Sequence, residues 1–212
     1  MWSDINLDQA DADGLIAIGG DLGMESLLDA YRHGIFPWYD EESPICWWSP
    51  DPRAIFELDQ FHIPRRLLRT CRSGKFQLTV NQAFTEVIRG CADREEGTWI
   101  TSDMMAAYER LHHAGFVHSV EAWYDGDLAG GVYGVAIGGF FAAESMFYRY
   151  SDASKVALVH LHERLYRHGF ELFDTQMVTP TTLSFGAVEI ARCEYLRRLR
   201  LAVAKPISFL EE

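Results

Sequence analysis

One segment of this chain, residues 118–147, limits the possible fold more than any other. It reads HSVEAWYDGDLAGGVYGVAIGGFFAAESMF, in which apolar strand-like stretches alternate with two glycine-containing turns. Asp125–Gly126 and Gly138–Gly139 are turn pairs of the kind that join neighbouring antiparallel strands. The segment therefore predicts an antiparallel β-meander.

A helix and one more strand are expected after the meander. Asp152 is placed to open a helix in which Leu158, Leu161 and Leu165 share one face, and Gly169 is suited to end it. The apolar stretch FELFDTQ then reads as a strand. A helical crossover onto the same sheet gives an α+β class, with helices packed against a mixed, mostly antiparallel sheet. This order of elements resembles the second half of the GNAT-type acyltransferase fold.

The first part of the chain has a different character. It contains a glycine-broken apolar stretch, a short helix over MESLLDAYRHG and an aromatic, proline-rich loop, FPWYDEESPICWWSPDPRA. We expect a small N-terminal domain over residues 1–60 and the larger domain over residues 61–212. In the larger domain, Asn81 and Ser102 are predicted to cap two further helices.

Composition indicates a globular chain, with 48% hydrophobic and 13% aromatic residues. No apolar run approaches the roughly 18 residues that span a membrane. The N-terminus lacks the basic start and apolar centre of a signal peptide, so we expect a cytoplasmic location. The four cysteines form no C-x-x-C pair, and we expect them to be reduced, without a disulfide or zinc site.

Three polar residues interrupt apolar strand sequence. Glu144 lies inside FAAESMFYR, and Asp174 and Gln176 lie two apart at the end of FELFDTQ, so they face the same side of an extended strand. A buried unpaired carboxylate is costly, and such groups therefore have partners or a raised pKa. Two interpretations stay open: a structural network, with Glu144 paired to Arg149 or Lys155, or a reaction centre.

Two other groups of side chains have a structural and a functional interpretation. The tryptophans of the loops either pack singly or together stack a nucleobase. The densest basic run either forms a solvated helix face or positions a phosphate backbone. The net charge of −12, taken alone, argues against a nucleic-acid partner. The tryptophans are Trp38, Trp47, Trp48 and Trp99, and the basic run is Arg65, Arg66, Arg69, Arg72 and Lys75.

Several common motifs are missing from the sequence. There is no G-x-x-x-x-G-K-[ST], no G-x-G-x-x-G, no H-E-x-x-H and no G-x-S-x-G. A coenzyme A enzyme of the GNAT type would carry a glycine-rich pyrophosphate loop after the third strand of the meander. Here that link is YRYSDAS, which has no glycine. We therefore expect neither coenzyme A nor a metal as cofactor.

Several stretches together identify a family. GLIAIGGDL, YRHGIFPWY, WWSPDPRA, DREEGTWIT, GGVYGVAIGGFFAAESMF, SKVAL and FDTQ occur in this order, followed by SFGAVEI. The chain resembles the leucyl/phenylalanyl-tRNA–protein transferases from about residue 14 to 200. That resemblance implies transfer of leucine, phenylalanine or methionine from aminoacyl-tRNA to the α-amine of proteins beginning with Arg or Lys, which marks them for degradation. It also implies a small N-terminal domain on a GNAT-like one.

The resemblance assigns roles to individual residues. Asp174 and Gln176 match a catalytic pair, and Glu144 matches an acidic residue of the site. Trp38 and Trp99 match the tryptophans that hold the terminal adenosine. The pocket for the amino-acid side chain would include Phe141, Leu158, Leu161 and Leu165, and the run Arg65, Arg66, Arg69, Arg72 and Lys75 would contact the tRNA.

A mechanism follows as a hypothesis. Asp174 would accept the proton of the attacking amine, directly or through Gln176, which would orient the amine and the carbonyl. Glu144 would hold the aminoacyl amine or the basic side chain of the acceptor. Phe141 and Glu144 fall on opposite faces by strand alternation, so a shared site requires a bulge between them.

The preferred amino acid stays open, because family members often have bulkier residues where this chain has Val132, Leu161 and Leu165. Three alternative functions are less well supported by the sequence: an aminoacyl-tRNA-dependent transferase acting on a cell-wall precursor, a coenzyme A acetyltransferase, and a tRNA-binding module without activity. We expect no DNA or membrane partner.

Overall fold

The computed structural model describes residues 2–5, 7, 10–93 and 98–210. The predicted meander is present as β6 (Val117–Tyr124), β7 (Asp127–Ile137) and β8 (Phe140–Tyr148). Asp125, Gly126 and Gly138 have positive φ, as these tight turns require. Helix α5 (Ala153–Arg167) then crosses to β9 (Leu172–Gln176), which pairs parallel to β8. The predicted α+β class and the GNAT-like order of these elements are confirmed.

Seven strands form the main sheet, in the order β10-β4-β9-β8-β7-β6-β5. Here β4 is Arg53–Phe56, β5 is Gln77–Val80 and β10 is Val188–Ile190. A second, three-stranded antiparallel sheet lies in the N-terminal part. Its strands are β1 (Leu15–Ile18), β2 (Phe36–Pro37) and β3 (Cys46–Trp48), in the order β1-β3-β2.

The small sheet ends at Trp48, and β4 already belongs to the main sheet. The division into residues 1–60 and 61–212 stays a prediction, and these sheets favour a boundary nearer to residue 50.

Two apolar cores lie on the two faces of the main sheet. One face packs against α2 (Arg65–Arg72) and α5, and we call it the α5 face. The other packs against four helices, and we call it the α4 face. Those helices are α1 (Met24–Arg32), α3 (Phe84–Ala92), α4 (Ser102–His113) and α7 (Arg192–Val203). A short helix, α6 (Pro180–Ser184), and a 3-10 turn at Trp2–Asp4 complete the described elements.

The two predicted helix caps are wrong in detail. Helix α4 is capped by Thr101, whose side chain accepts a hydrogen bond from the amide of Met104, rather than by Ser102. Asn81 does not cap α3. It has a positive φ of 56°, and its side-chain oxygen accepts from the amide of Ser119, 2.9 Å away on β6. The Asn81 amide therefore connects two strands.

Two irregularities in the sheet define where polar groups can gather. The β7–β8 register shifts between Tyr133↔Ser145 and Gly134↔Ala143, which makes Glu144 the extra residue of a bulge. The β4–β9 register shifts in the same way, with Thr175 as the extra residue. The bulge at Thr175 lies at the carboxyl end of β9, and the bulge at Glu144 lies in the middle of β8, just beyond its parallel pairing with β9.

No helix within the described part of the chain is both long and apolar enough to cross a membrane.

Candidate active site

A fully buried polar contact joins Arg53 of β4 to Asp174 of β9. Arg53 Nε donates to Asp174 Oδ1 at 2.9 Å, and Nη2 donates to Oδ2 at 2.6 Å. Both side chains are almost inaccessible, with 1% and 0% of their surface exposed. Two parallel hydrogen bonds between opposite charges are the strong geometry for such a pair, and they satisfy the otherwise costly carboxylate.

Further groups complete the surroundings of this ion pair. Tyr195 of α7 donates its hydroxyl to Asp174 Oδ2 at 2.8 Å, and the amide of Gln176 donates to Oδ1 at 2.8 Å. Arg53 Nη1 donates to the carbonyl of Gly34 at 3.1 Å. Burial is the largest single effect and lowers the pKa of Arg53, but the charge and hydrogen bonds of Asp174, together with Tyr195 and Glu144, raise that pKa above its ordinary value. Each carboxylate oxygen of Asp174 thus already accepts two hydrogen bonds.

Gln176 lies where β9 ends, in a backbone conformation that side chains rarely adopt. Its φ is +57°, next to the bulge at Thr175. Left-handed backbone at a non-glycine residue costs roughly 1–2 kcal/mol and persists only where the surroundings hold it. Here the bond to Asp174 holds the amide of Gln176, and the side chain turns towards β8. Gln176 Nε2 donates to Glu144 Oε1 at 3.1 Å.

Glu144, the bulge residue of β8, accepts hydrogen bonds from two directions. Besides Gln176, Tyr108 of α4 donates its hydroxyl to Glu144 Oε2 at 3.3 Å, and the Tyr108 hydroxyl is itself hydrogen-bonded to that of Tyr31. Burial raises the pKa of Glu144 to about 7; the nearby charge of Asp174 adds to this, and the tyrosine hydroxyls oppose it. A carboxyl with this pKa exchanges protons near neutral pH.

Of the two interpretations left open by the sequence, the ion pair between Glu144 and Arg149 or Lys155 is not found among the described residues. The Arg149 side chain instead donates to the carbonyl of Leu128, and no ion pair of the described residues contains Lys155. The reason is the bulge, which leaves Glu144 on the α4 face among tyrosines. The three polar residues Glu144, Asp174 and Gln176 are therefore brought together, as the catalytic interpretation requires.

The two tryptophans assigned to adenosine lie on neighbouring loops. Trp38 is 41% exposed and meets the ring of Trp48 edge to face, with centroids 5.8 Å apart. Trp99 is partly buried against the core of the α4 face. A hydrogen bond joins the two loops close to these tryptophans. It links the hydroxyl of Tyr39, which follows Trp38, to that of Thr101, two residues after Trp99, at 3.4 Å. Glu95 and Glu96 of the DREEGTWIT motif lie outside the described residues.

The residues predicted for the amino-acid pocket are found on the opposite face of the sheet from Glu144. Phe141 is fully buried in the core of the α5 face, beside the rings of Phe173 and Phe209. The same core contains Leu158, Leu161 and Leu165, each at most 3% exposed. The bulge at Glu144 does not bring Phe141 to its side. Their assignment to a substrate pocket stays a prediction.

The pairing of β8 with β9 stops well before the end of β8. Pairing between β8 and β9 ends at Ala142↔Asp174, although β8 continues to Tyr148. Ala143 and Met146, just beyond that point, are only partly buried and pack on the core of the α5 face.

The basic run is a solvent-facing stripe. Helix α2 buries Leu67 and leaves its arginines exposed. The side-chain amine of Lys75 lies 5.3 Å from the ring centroid of Tyr124. We call it the α2 stripe. It consists of five exposed residues on the α5 face: Arg65, Arg66, Arg69, Arg72 and Lys75.

Comparison with known proteins decides the family. The family described as leucyl/phenylalanyl-tRNA protein transferase matches residues 55–200, and its N-terminal domain matches residues 20–51. This chain belongs to the leucyl/phenylalanyl-tRNA–protein transferase family. The predictions of the family and of its enzyme class, an aminoacyltransferase, are confirmed.

Individual relatives carry the same name. The leucyl/phenylalanyl-tRNA–protein transferase of Solidesulfovibrio magneticus is 57% identical over 197 residues, which are 91% of this chain and 80% of that protein. The one of Nitratidesulfovibrio vulgaris is 51% identical over 205 residues, covering 95% and 88%. Among solved structures, L-PGS from Bacillus licheniformis overlaps 74% of this chain and 52% of its own, with 12% identity and a TM-score of 0.43.

Sequence reasoning missed four residues that hold the polar groups of the candidate site in place. Arg53, Tyr195, Tyr31 and Tyr108 hold the polar residues of the site from β4 and three helices. One signal was available: Arg53 opens the apolar strand RAIF, and a charge in such a strand needs a buried partner, as Asp174 does. Nothing in the sequence pairs the tyrosines with Glu144.

Proposed function

We propose that this chain transfers leucine, phenylalanine or methionine from aminoacyl-tRNA to the α-amine of proteins that begin with Arg or Lys. The product would carry a new N-terminal residue that marks it for degradation. Because charged tRNA is the donor, we propose that the reaction takes place in the cytoplasm. The observation that carries the proposal is the position of Gln176, fixed by Asp174 and hydrogen-bonded to the titratable Glu144. Family membership supplies the reaction class.

The chemistry needs positioning and proton transfer. The neutral amine attacks the ester carbonyl carbon, a C–N bond forms, and the C–O bond to the ribose breaks. The nitrogen loses one proton and the ribose oxygen gains one, so the step is balanced without a further reactant. An N-terminal amine has a pKa near 8, so a useful fraction is neutral at pH 7. A base poised near neutral pH is what such an attack requires.

We assign that base to Glu144. Its pKa of about 7 lets it accept the proton of the amine and return it to the ribose oxygen. Asp174 fits this role less well, because Arg53, Tyr195 and the Gln176 amide occupy both of its oxygens. In this proposal Asp174 positions Gln176. This revises the hypothesis that Asp174 itself accepts the proton.

Gln176 would orient the reacting groups. Its side-chain amide carries two N–H donors, one of which points to Glu144. We assign the other to the oxygen of the ester carbonyl, where negative charge develops during the attack. The strained backbone at Gln176 fits this function, because residues held in rare conformations are found preferentially at active sites.

The substrate would extend to both sides of this centre. We place the terminal adenosine between the loops of Trp38 and Trp99. The amino-acid side chain would enter between β8 and β9 towards Phe141, Leu158, Leu161 and Leu165. Exposed arginines and Lys75 of the α2 stripe would contact the tRNA phosphates, so that a chain with a net charge of −12 still presents a local cationic surface.

The test is transfer of radiolabelled leucine or phenylalanine from charged tRNA to a peptide beginning with Arg, beside one beginning with Asp. We expect label on the Arg peptide only. Gln176→Ala should abolish transfer while charged tRNA still binds. Gln60→Ala, a change of an exposed glutamine, is the matched control and should leave transfer intact. Binding of charged tRNA without transfer by the wild type would favour a tRNA-binding module and overturn the proposal.

A further inference from the structure

Three solvent-exposed tyrosines lie at one end of the main sheet, and none of them belongs to the site described above. Tyr124, Tyr148 and Tyr150 are 36%, 67% and 37% exposed. The ring centroids of Tyr124 and Tyr150 are 5.0 Å apart, at an interplanar angle of 48°. We call these three residues the tyrosine cluster. Aromatic rings exposed together in this way cost apolar hydration, and such patches mark interaction sites.

The backbone of the cluster is held firmly. Tyr124 ends β6, and Tyr148 pairs with Gly130 of β7. The amide of Tyr150 donates to the carbonyl of Ala129 at 3.2 Å, as does the amide of its neighbour Arg149 at 2.7 Å. The rings therefore stand on hydrogen-bonded strand ends, which limits the entropy lost when a flat ligand stacks on them.

The charge beside the cluster is positive. Lys75 places its amine 4.9 Å from the ring centroid of Phe76 and 5.3 Å from that of Tyr124. Lys75 continues the α2 stripe, so cations run from Arg65 to the edge of the tyrosines. The carboxylates of Asp125 and Asp127 lie at the hairpin tip beyond Tyr124. They would repel phosphates there and favour the Lys75 side.

We infer that the tyrosine cluster stacks the single-stranded nucleotides of the tRNA 3′ end, with Lys75 on their phosphates. This inference rests on the proposed function, in which charged tRNA is the donor. Exposed aromatic rings beside a cationic stripe are the combination that binds single-stranded nucleic acid without reading its sequence. The acceptor protein is the poorer fit, because its basic N-terminal residue would be repelled by the same cations.

The cluster lies at a suitable distance from the reaction centre. Tyr148 follows Glu144 by four residues on β8, which corresponds to about 13 Å along an extended strand. A groove of about 430 Å³ lies beside Tyr148 and Arg149, and its lining also includes Gly90, Asp93, Met146 and Phe147. Over the roughly 13 Å along β8, a strand of RNA stacked on the tyrosines would bring its terminal ester to the centre.

The experiment compares two donors in steady-state transfer. One is complete phenylalanyl-tRNA, and the other is phenylalanyl-adenosine, which lacks every nucleotide before the last. Tyr148→Ala and Tyr150→Ala should each raise KM for the complete tRNA by roughly five- to twentyfold, since each stacked base contributes substantially to binding. KM for phenylalanyl-adenosine should not change. Tyr148→Phe, which keeps the ring, should behave as the wild type, and so should Tyr166→Ala, which removes a 60% exposed tyrosine elsewhere.

The outcomes separate the two proposals. If the wild type transfers phenylalanine from neither donor, the proposed function fails. If the wild type is active and the tyrosine variants leave KM for tRNA unchanged, the proposed function stands and the stacking inference is overturned. A rise in KM for the acceptor peptide instead of the tRNA would assign the cluster to the acceptor and would also overturn it. Lys75→Ala should lower the salt dependence of tRNA binding by about 0.7 in log–log slope.

Discussion

Arg53 and Asp174 form a buried ion pair with two hydrogen bonds, which connects the start of β4 to the middle of β9. The pair lies directly beneath Gln176, because Asp174 also accepts the Gln176 amide. Its role in the site is thus to fix the backbone from which Gln176 reaches Glu144.

Removing only one charge of this pair should lower the free energy of unfolding far more than removing both charges. Arg53→Met leaves the Asp174 carboxylate buried without its cation and should lower the free energy of unfolding by about 3–5 kcal/mol. Adding Asp174→Leu should recover most of that loss, since a buried pair can be replaced by apolar groups at little cost. Urea unfolding of the single and double variants measures both values.

The transfer activity of the same variants shows whether the Arg53–Asp174 pair only stabilises the fold or also positions Gln176. The double variant should fold and yet transfer poorly, because Gln176 has lost the acceptor for its amide. A double variant that is both stable and fully active would contradict the positioning role of Asp174.

Gln176 should show a conflict between stability and activity. Its φ of +57° is strained for glutamine and easy for glycine. Gln176→Gly should therefore keep the stability of the wild type or gain up to about 1 kcal/mol, in spite of the lost hydrogen bond to Glu144. Its transfer activity should fall to background. Thermal unfolding and a transfer assay on one preparation give both values, and an active Gly variant would contradict the assigned role.

Much of this architecture could be predicted because its signals are local. Asp125–Gly126 and Gly138 supply the positive φ that tight turns need, so the meander can be predicted from residues adjacent in the sequence. Arg53 and Asp174 are 121 residues apart, and only the folded sheet makes them neighbours. The bulge at Glu144 likewise depends on the partner strand, which is why the sequence does not predict the tyrosine partners of Glu144 and leaves an ion pair with Arg149 or Lys155 open.

The ionisation of Glu144 should appear in the pH dependence of stability. Its pKa rises from 4.5 to about 7 on folding, so between these values the folded chain keeps a proton that the unfolded chain releases. The contribution of Glu144 to the free energy of unfolding is then present below about pH 4.5 and is lost as pH rises to about 7.

Glu144→Gln cannot ionise and should avoid that loss. The measured quantity is the free energy of unfolding of the variant minus that of the wild type. This difference should be about 1–3 kcal/mol larger near pH 8 than near pH 4, at 1.36 kcal/mol per pKa unit and allowing for altered hydrogen bonds. Urea unfolding at the two pH values provides the measurement. An equal difference at both would show that Glu144 ionises in the fold as it does in water.

The α2 stripe should supply part of the salt dependence of tRNA binding. Arg69→Gln should weaken binding and reduce the slope of log affinity against log salt concentration by about 0.7–0.9, the value for one neutralised phosphate. Arg200→Gln, which changes an exposed arginine on α7, should do neither. Fluorescence titrations of labelled tRNA at several salt concentrations distinguish the two. Equal slopes for both variants would show that the α2 stripe does not contact the tRNA.

The pH dependence of single-turnover transfer is the most direct test of Glu144 as the base. With charged tRNA bound and an Arg peptide in excess, the wild-type rate should depend on two ionisations, one near pH 7 from Glu144 and one near pH 8 from the amine. Glu144→Gln should transfer about 10²–10⁴-fold more slowly and keep only the ionisation of the amine. A Glu144→Gln enzyme with the wild-type rate and the wild-type profile would contradict the account.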